Sequence, residues 1–233
     1  MKTAEFAVLW DVDGTLVDTA EQHFRAWNIL AAEIGKTYSR EDFANTFGWR
    51  NPEIIPRVFG DHYTDEEIDA LGERKEKYYR EDAARGLEPL PGVLDLVRSL
   101  HEAGFKQAIG SSAPRKNVEM ILDQSHLRPY LGAVIAMEDV TRGKPDPLVF
   151  LLGAQQLGVE PRRCVVFEDA PVGIQAAKSA GMKAIGVTFV GHHSRERLEA
   201  AGADLVVECL TQVDVDTVRD LLLLADSEGS THP

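Results

Sequence analysis

The sequence has little cysteine, a shortage of positive charge and no long apolar runs. Its two cysteines, Cys164 and Cys209, lie far apart without the spacing of metal ligands, so neither a disulfide scaffold nor a cysteine-bound zinc is predicted. Aspartate and glutamate outnumber lysine and arginine by 38 to 25, and the net charge of −13 argues against nucleic-acid binding. No segment is long and apolar enough to span a membrane, and the charged first residues are unlike a signal peptide. We therefore expect a cytoplasmic protein with neither nucleic-acid nor membrane partners.

Short runs rich in valine and isoleucine alternate with amphipathic stretches from about residue 92 onward. Several of the amphipathic stretches end in glycine, as helices often do. This alternation predicts right-handed βαβ units and an α/β fold with a Rossmann-like, mainly parallel sheet. The predicted strands are 6–10, 107–110, 133–137, 164–167, 184–187 and 204–207.

The segment between the first predicted strand and residue 92 is different, because it contains helical patterns and almost no strand signal. Apolar side chains recur at spacings of three and four between residues 20 and 34, and a further helix is expected from 65–67 to about residue 79. A proline-rich linker follows at 87–92. We predict a catalytic core made of 1–16 and 92–225, an inserted all-helical cap domain at 17–91, and a disordered tail at 226–233.

A pair of aspartates directly follows the first apolar run. Residues 11–15 read Asp-Val-Asp-Gly-Thr, and Asp11 and Asp13 lie two positions apart on extended backbone, so their side chains point to the same side. Burying two neighbouring carboxylates is unfavourable unless a metal or a reaction uses them. The pattern therefore favours a functional site, although an Asp-Gly turn is also a common way to end a strand.

Further polar side chains follow three other predicted strands. Ligands of an open parallel sheet bind beyond the carboxyl ends of its strands, so these side chains are expected to meet the aspartate pair there. They are Ser111 and Ser112 after 107–110, Lys144 in the loop after 133–137, and Glu168 and Asp169 after 164–167.

Each of these features also has an explanation without catalysis. Lys144 would fit a surface turn, Glu168 and Asp169 would favour a helix N-terminus through their charge, and Ser111 would serve as a helix N-cap. The complete set in this order is hard to obtain from random loop composition.

Taken in order, the segment 11–15, Ser111, Lys144 and the Glu168-Asp169 pair resemble the four motifs of the haloacid dehalogenase superfamily. The resemblance covers essentially the whole chain. The helical insertion is similar to the cap of the subgroup that contains beta-phosphoglucomutases and small-metabolite phosphatases. The resemblance implies a phosphoryl-transfer enzyme, and the second aspartate argues against dehalogenation.

The resemblance implies catalytic and metal-binding roles. Asp11 is the expected nucleophile, which forms an aspartyl phosphate, and Asp13 is the expected general acid and base. Lys144 is expected to bridge Asp11 and the phosphate. The implied cofactor is Mg²⁺, with ligands from Asp11, the Asp13 backbone carbonyl, Glu168 and Asp169.

The resemblance also implies phosphate-binding and cap residues. Ser111, with the backbone N–H groups of Ser112 and Ala113, is expected to bind phosphoryl oxygens at a helix N-terminus. His23 lies in the segment 18–27, which resembles the beta-phosphoglucomutase pattern, and is a candidate acid–base relay, although a solvated helix residue is equally compatible.

Arg50 is a candidate for binding the substrate from the cap. In mutases of this family a cap arginine binds a second phosphate, but here the stretch 48–51 departs from that pattern, with Arg50 shifted by one position. Trp49, Asn51 and the pair at 74–75 are further candidates to reach a substrate from the cap, and ordinary surface positions are the alternative. The departure at Arg50 favours a phosphatase over a mutase.

The leading expectation is therefore a Mg²⁺-dependent phosphatase that hydrolyses a small phosphorylated metabolite, a sugar phosphate, through an aspartyl phosphate. A beta-phosphoglucomutase-type phosphomutase is the first alternative, because it shares every core residue. A phospho-accepting receiver protein is a remote one, because receivers carry their acidic pair before the phospho-accepting aspartate and have no helical cap. The expected assembly is a monomer or a weak homo-oligomer.

Overall fold

The computed structural model describes residues 6–228, with side chains up to residue 223. Its centre is a parallel sheet in the order β3-β2-β1-β4-β5-β6, which places β1 in the middle. The strands are β1 (Ala7–Trp10), β2 (Lys106–Gly110), β3 (Ala133–Ile135), β4 (Cys164–Glu168), β5 (Lys183–Val187) and β6 (Leu205–Val207).

Ten α-helices surround or extend this sheet within the described residues. Those of the insertion are α1 (Ala20–Glu33), α2 (Arg40–Thr46), α3 (Asn51–Phe59) and α4 (Asp65–Ala83). Those of the core are α5 (Val93–Glu102), α6 (Arg115–Ser125), α7 (Leu148–Leu157), α8 (Pro171–Ser179), α9 (Arg195–Ala200) and α10 (Val215–Glu228).

The two central strands, β1 and β4, are buried on both faces. Every residue of both strands is buried, as expected for the apolar runs that form them. Trp10 and Phe167 occupy paired positions of the two strands, and their rings stack with centroids 4.3 Å apart. The Trp10 indole N–H donates to Gln107 Oε1 at 3.0 Å, so the buried ring keeps a polar partner. This packing fixes the ends of β1 and β4 next to each other.

Core helices cover both faces of the sheet and make a three-layer α/β unit. One apolar cluster joins the sheet to α5, α6 and α10, and a second joins the opposite face to α7, α8 and α9. Because crossovers between parallel strands are right-handed, helices are distributed on both faces and leave the carboxyl edge of the sheet free for loops. The functional loops lie on that edge.

The inserted helices have an apolar core of their own. Trp27, Tyr38, Phe43, Ile55 and Phe59 belong to one cluster that does not include the sheet. Helix α4 packs against α1 and α3. Side-chain caps begin two of the helices: Asp42 N donates to Ser39 Oγ before α2, and Glu67 N donates to Thr64 Oγ1 before α4.

The chain enters and leaves the insertion through two adjacent segments. Val17 forms β-bridges with both Asp13 and Pro89, and Leu90 N donates to Leu16 O at 2.8 Å. The two crossings therefore run side by side at the carboxyl end of β1.

The expected α/β class with an inserted helical cap is confirmed, with local corrections. Predicted strand 133–137 ends at Ile135 because a 3₁₀ turn at Met137–Asp139 follows, and predicted strand 204–207 begins at Leu205. The disordered tail predicted at 226–233 is wrong for 226–228, which continue α10, and 229–233 lie outside the described residues. No helix among the described residues is long and apolar enough to cross a membrane.

Candidate active site

The end of β1 presents the two aspartates at the centre of the sheet edge. Asp11 and Asp13 both line the same cleft, as their spacing on extended backbone requires. Gly14 then turns the chain with φ of +86°, and a Cβ at this position would lie 2.1 Å from Asp169 Oδ2. Glycine is therefore required by both the backbone conformation and the close approach of the acidic pair after β4.

Lys144 lies between carboxylates from two strands. Its Nζ donates to Asp11 Oδ1 at 2.6 Å and to Glu168 Oε1 at 2.7 Å, and its side chain is 1% exposed. Burial alone would lower the pKa of Lys144, but the charges of Asp11 and Glu168 raise it above its usual value. The lysine is therefore charged at neutral pH and compensates part of the acidic cluster.

Asp11, Glu168 and Asp169 carry more negative charge than Lys144 balances. One oxygen from each of the three lies within 4.8 Å of the others, and all three residues are buried. Burial, reinforced by the charge of Glu168, raises the pKa of Asp11 to about 8 despite Lys144, and the pKa of Asp169 is raised well above its usual value. Asp169 Oδ2 is buried and has no hydrogen-bond partner among the residues that the structure describes. Converging hard oxygen donors with one orphaned oxygen fit a divalent cation such as Mg²⁺.

Asp13 has a different environment from Asp11. Thr19 Oγ1 donates to Asp13 Oδ1 at 2.5 Å, and His23 Nε2 lies 3.2 Å from the same oxygen. Burial would raise the pKa of Asp13, but hydrogen bonding to His23 and Thr19 and the nearby charges of the cap lower it. Two carboxylates on one strand end are thereby placed in environments suited to different tasks.

The segment after β2 forms another wall of the cleft. Ser111, Ser112 and Ala113 all line it, and Ala113 N donates to Ser111 Oγ at 3.0 Å. Helix α6 begins only at Arg115, so Ser111 precedes the helix by a short turn and does not cap it. The expected helix N-terminus at Ser111 is therefore corrected to a loop that leads into α6.

His23 connects Asp13 with the cap helix α4. Its Nδ1 lies 2.7 Å from Lys75 Nζ, and its ring stacks on Tyr79 with centroids 3.9 Å apart. The side chains of His23 and Asp13 are mostly buried. His23 is thus held between a carboxylate and an ammonium group, which fixes its ring orientation.

Lys75 is neutralised by its neighbour Glu76. The Lys75 Nζ donates to Glu76 Oε1 at 2.9 Å, and both side chains are 3% exposed. Glu76 also accepts from Asn51 Nδ2 at 2.8 Å and from Asn117 Nδ2 at 2.6 Å. Burial would raise the pKa of Glu76, but the charges of Lys75 and His23 and the hydrogen bonds from Lys75 and Asn51 lower it. The network joins α3 and α4 of the cap to α6 of the core.

Arg50 does not line the cleft. Its guanidinium donates from Nε and one terminal nitrogen to Glu53 Oε1 at 2.9 and 2.7 Å, and from the other terminal nitrogen to Val140 O at 3.3 Å. Among the other cap candidates, Arg74 pairs with Glu33 on the surface, whereas Trp49 lines the cleft. The structure therefore brings His23 to the aspartates and leaves Arg50 at the seam between cap and core.

The cleft lies between the carboxyl edge of the sheet and the cap. The space between its walls is about 550 Å³ when the open mouth is included. Asp11, Asp13 and Ser111 form the core side, and Lys75 and Glu76 add a polar end on the cap side. Apolar and aromatic cap side chains complete the wall: Trp27, Tyr38, Phe43, Phe47, Trp49 and Ile54.

Sequence reasoning missed Thr19, Glu76, Tyr79 and Asn117. A signal for two of them was present, because Glu76 and Tyr79 fall on the buried face of α4 together with Leu71 and Lys75. Charged residues on a buried helix face indicate a polar network. Asn117 carried no such signal, since its role depends on the approach of cap and core.

Sequence comparison identifies the family. Residues 7–181 match the model of the haloacid dehalogenase-like hydrolases. The chain is 36% identical over 183 residues to the fructose-1-phosphate phosphatase YqaB of Escherichia coli, covering 78% of this chain and 96% of the relative. It is 33% identical over 222 residues to the beta-phosphoglucomutase of Bacillus subtilis, covering 92% and 94% of the two chains.

Structural comparison agrees with the sequence match. The beta-phosphoglucomutase of Clostridium difficile superimposes with a TM-score of 0.86 at 26% identity, over 96% of this chain and 99% of the other. The family model covers most of the chain and describes hydrolases. The Escherichia coli relative, which the chain covers over most of its length, is a phosphatase. The chain therefore belongs to the haloacid dehalogenase-like hydrolases and is a phosphoric monoester hydrolase.

Proposed function

We propose that the protein is a Mg²⁺-dependent phosphatase that hydrolyses the monophosphate ester of a small sugar through an aspartyl phosphate on Asp11. The main support is the buried cluster of Asp11, Lys144, Glu168 and Asp169, in which Asp11 lines the cleft between core and cap. Similarity to a fructose-1-phosphate phosphatase and to a phosphorylated carbohydrate phosphatase of Thermotoga maritima supports a sugar phosphate as substrate.

In this proposal residues 1–16 and 92–225 act as the catalytic core and 17–91 as the cap. Asp11, the Asp13 backbone carbonyl, Glu168 and Asp169 would hold Mg²⁺, which supplies positive charge against the phosphate and the carboxylates. The orphaned Asp169 Oδ2 and the raised pKa of Asp11 support this, because both indicate missing positive charge.

The first step transfers the phosphoryl group from the substrate to Asp11. A carboxylate oxygen of Asp11 bonds to phosphorus while the bond from phosphorus to the sugar oxygen breaks. Lys144, already 2.6 Å from Asp11, reduces the repulsion between carboxylate and phosphate. Ser111 and the backbone N–H groups of Ser112 and Ala113, on the same core side of the cleft, would bind the phosphoryl oxygens.

Asp13 would move the proton in both steps. It protonates the departing sugar oxygen, and then takes a proton from the water that attacks phosphorus, which releases phosphate and restores Asp11. Its contacts with Thr19 and His23 hold it next to Asp11, and Lys75 behind His23 couples it to the cap. The same contacts lower the pKa of Asp13, so the resting residue is a carboxylate, the form that the base step requires.

A phosphomutase is the second candidate. The His23–Lys75 pair beside Asp13 and the likeness to beta-phosphoglucomutases favour it. A mutase, however, needs a cap cation for a second phosphate. Within the part of the chain with described side chains, the cap wall of the cleft holds one lysine, Lys75, already paired with Glu76, and no arginine. This charge balance favours the phosphatase.

The test follows two products at once. The purified protein is incubated with Mg²⁺ and beta-glucose 1-phosphate, with a trace of glucose 1,6-bisphosphate, and both glucose 6-phosphate and free phosphate are measured. In parallel, phosphate release is screened over hexose and pentose phosphates, nucleotides and phosphoglycolate.

We expect net phosphate release from sugar phosphates and at most weak glucose 6-phosphate formation. Rapid glucose 6-phosphate formation with negligible free phosphate would establish the mutase instead. Release confined to nucleotides or phosphoglycolate would contradict the sugar assignment but keep the phosphatase.

A further inference from the structure

The loop that carries Lys144 contacts the cap through Arg50 and Glu53. These two residues lie in the first turn of α3 and just before it, on the edge of the cap that faces the core loop 140–147. The contact is outside the cleft and does not involve any residue that lines the substrate-binding walls apart from the neighbouring Trp49.

Arg50 and Glu53 form a rigid pair. Glu53 Oε1 accepts from both Nε and a terminal nitrogen of Arg50, and Glu53 Oε2 accepts from the Arg50 backbone N–H at 3.1 Å. The Arg50 side chain is only 13% exposed. The guanidinium is held by two hydrogen bonds to Glu53 Oε1, and the other oxygen of the same carboxylate is bonded to the Arg50 backbone. The Arg50 side chain therefore has little freedom to turn into the cleft.

The pair is in direct contact with the Lys144 loop. A terminal nitrogen of Arg50 donates to Val140 O at 3.3 Å. Gly143, next to Lys144, approaches so closely that a Cβ there would lie 2.7 Å from Arg50 Nε and 2.8 Å from Glu53 Oε1. A side chain at residue 143 would therefore displace Arg50 and Glu53 from their present positions.

The two ends of the loop are supported differently. After Lys144, Asp146 N donates to Gly143 O at 3.0 Å and Leu148 N donates to Asp146 Oδ1 at 3.0 Å, so this end is fixed within the core. Before Lys144, Val140 packs in the apolar core cluster and its N–H donates to Met137 O at 3.4 Å, but Val140 O and Gly143 also contact Arg50 and Glu53. The cap therefore adds contacts to this end of the loop that are present only when it lies against the core.

We propose that Arg50 and Glu53 form a latch: when the cap lies over the core, the pair holds the 140–143 segment and thereby positions Lys144 between Asp11 and Glu168. The inference rests on the proposed function, since it concerns the lysine assigned to phosphoryl transfer. It makes Arg50 and Glu53 positioning residues and explains why Arg50 is absent from the cleft wall.

The kinetic test compares Arg50→Ala and Glu53→Ala with Arg57→Ala, an exposed arginine on the same helix. The substrates are a sugar phosphate, a sugar bisphosphate and p-nitrophenyl phosphate, which lacks a sugar and a second phosphate. We expect both latch variants to lose about tenfold to a hundredfold in kcat on all three, with KM changed less than about threefold and Arg57→Ala unchanged. The double variant Arg50→Ala/Glu53→Ala should be no worse than either single one.

Gly143→Ala is an independent test of the contact between the loop and the Arg50–Glu53 pair. It should lower kcat in the wild-type background, where the added methyl pushes against the pair, and have a much smaller effect in Arg50→Ala. A loss confined to the bisphosphate would show that Arg50 binds a second phosphate and would overturn the latch. The latch would also be overturned if kcat of Arg50→Ala and Glu53→Ala equalled that of Arg57→Ala.

A measurement without turnover separates the latch from the proposed function. Backbone hydrogen exchange over 140–144 should become faster in Arg50→Ala than in Arg57→Ala, with or without activity. If the wild-type protein released no phosphate from any ester, the proposed function would be wrong. The difference in hydrogen exchange between Arg50→Ala and Arg57→Ala would still test whether Arg50 holds the loop. Identical exchange in the two variants would overturn the latch alone.

Discussion

At the scale of single residues, the site works because neighbouring carboxylates have different surroundings. Asp11 has burial, Lys144 and two further carboxylates around it, and its pKa is raised to about 8. Asp13 has Thr19 and His23 beside it, and its pKa is lowered. Without a further cation, the pKa of Asp11 favours its protonated form at neutral pH, whereas that of Asp13 favours the carboxylate. A divalent cation bound beside Asp11 would favour the ionised carboxylate that attacks phosphorus.

Replacing Asp13 by asparagine should remove proton transfer and leave the shape of the site in place. We expect Asp13→Asn to lower kcat by about 10²–10⁴ with little change in substrate affinity. Steady-state kinetics and equilibrium binding of a non-hydrolysed phosphate analogue separate the two effects. Wild-type kcat in this variant would exclude Asp13 as the acid and base.

Lys75 and Glu76 should show the behaviour of a buried ion pair. Lys75→Met leaves a buried carboxylate without its cation, and we expect the free energy of unfolding to fall by about 3 kcal/mol. The double variant Lys75→Met/Glu76→Gln removes the charge as well and should recover a large part of that loss. Urea unfolding of the three proteins measures this, and equal stabilities of the single and double variants would contradict it.

At the scale of elements, two adjacent chain crossings join the cap to the core. Leu16 and Leu90 are hydrogen-bonded across them, and Val17 is bridged to Pro89. His192, in the loop after β5, packs on Phe43 and Phe47 of the cap, with ring centroids 5.4 and 4.8 Å away. The cap is thus joined to the core by a narrow hinge and a set of side-chain contacts that separate if it rotates.

We expect the cap to rotate as a unit about residues 16–18 and 87–91. Structures with and without a phosphate analogue should differ in the orientation of α1–α4 relative to the sheet, while the internal geometry of each part is kept. The contacts of His192 and Arg50 with the opposite part should change with that rotation. An identical orientation in both states would argue against a moving cap.

The sequence predicted those parts of the fold that depend on local pattern. Apolar runs located β1 and β4, and the order of polar residues after the strands located Asp11, Ser111, Lys144 and Glu168 on one edge. The contacts of Glu76 with Asn51 and Asn117 were beyond local pattern, because they join three helices that are distant in the chain. Arg50 was expected at the substrate because the sequence does not show that Glu53, one helical turn away, pairs with it.

At the scale of the whole molecule, a buried histidine should make stability depend on pH. His193 is 6% exposed, and neither ring nitrogen has a hydrogen-bond partner among the described residues. Burial, together with the nearby charges of Arg197 and His192, lowers its pKa from 6.5 to about 4. Between these values the unfolded chain binds more protons than the folded one, so the free energy of unfolding falls as pH falls.

Between pH 4 and 6.5, His193 should make the free energy of unfolding rise with pH by up to about 1.4 kcal/mol per pH unit. Above pH 6.5 this contribution to the slope should vanish. His193→Phe should flatten the pH dependence of urea unfolding between pH 4 and 6.5. Arg197→Gln keeps the histidine but removes a charge that lowers its pKa, so it should reduce this pH dependence only in part. An unchanged slope in His193→Phe would show that other groups determine acid stability.

The central claim for the whole molecule is that Asp11 receives the phosphoryl group. The most direct measurement mixes the protein with Mg²⁺ and a radiolabelled sugar phosphate, quenches with acid within a turnover, and maps the label by peptide digestion. We expect label on the peptide that contains Asp11, no label and no turnover in Asp11→Asn, and no labelling when EDTA removes the metal. Label on another residue, or turnover by Asp11→Asn at the wild-type rate, would contradict it.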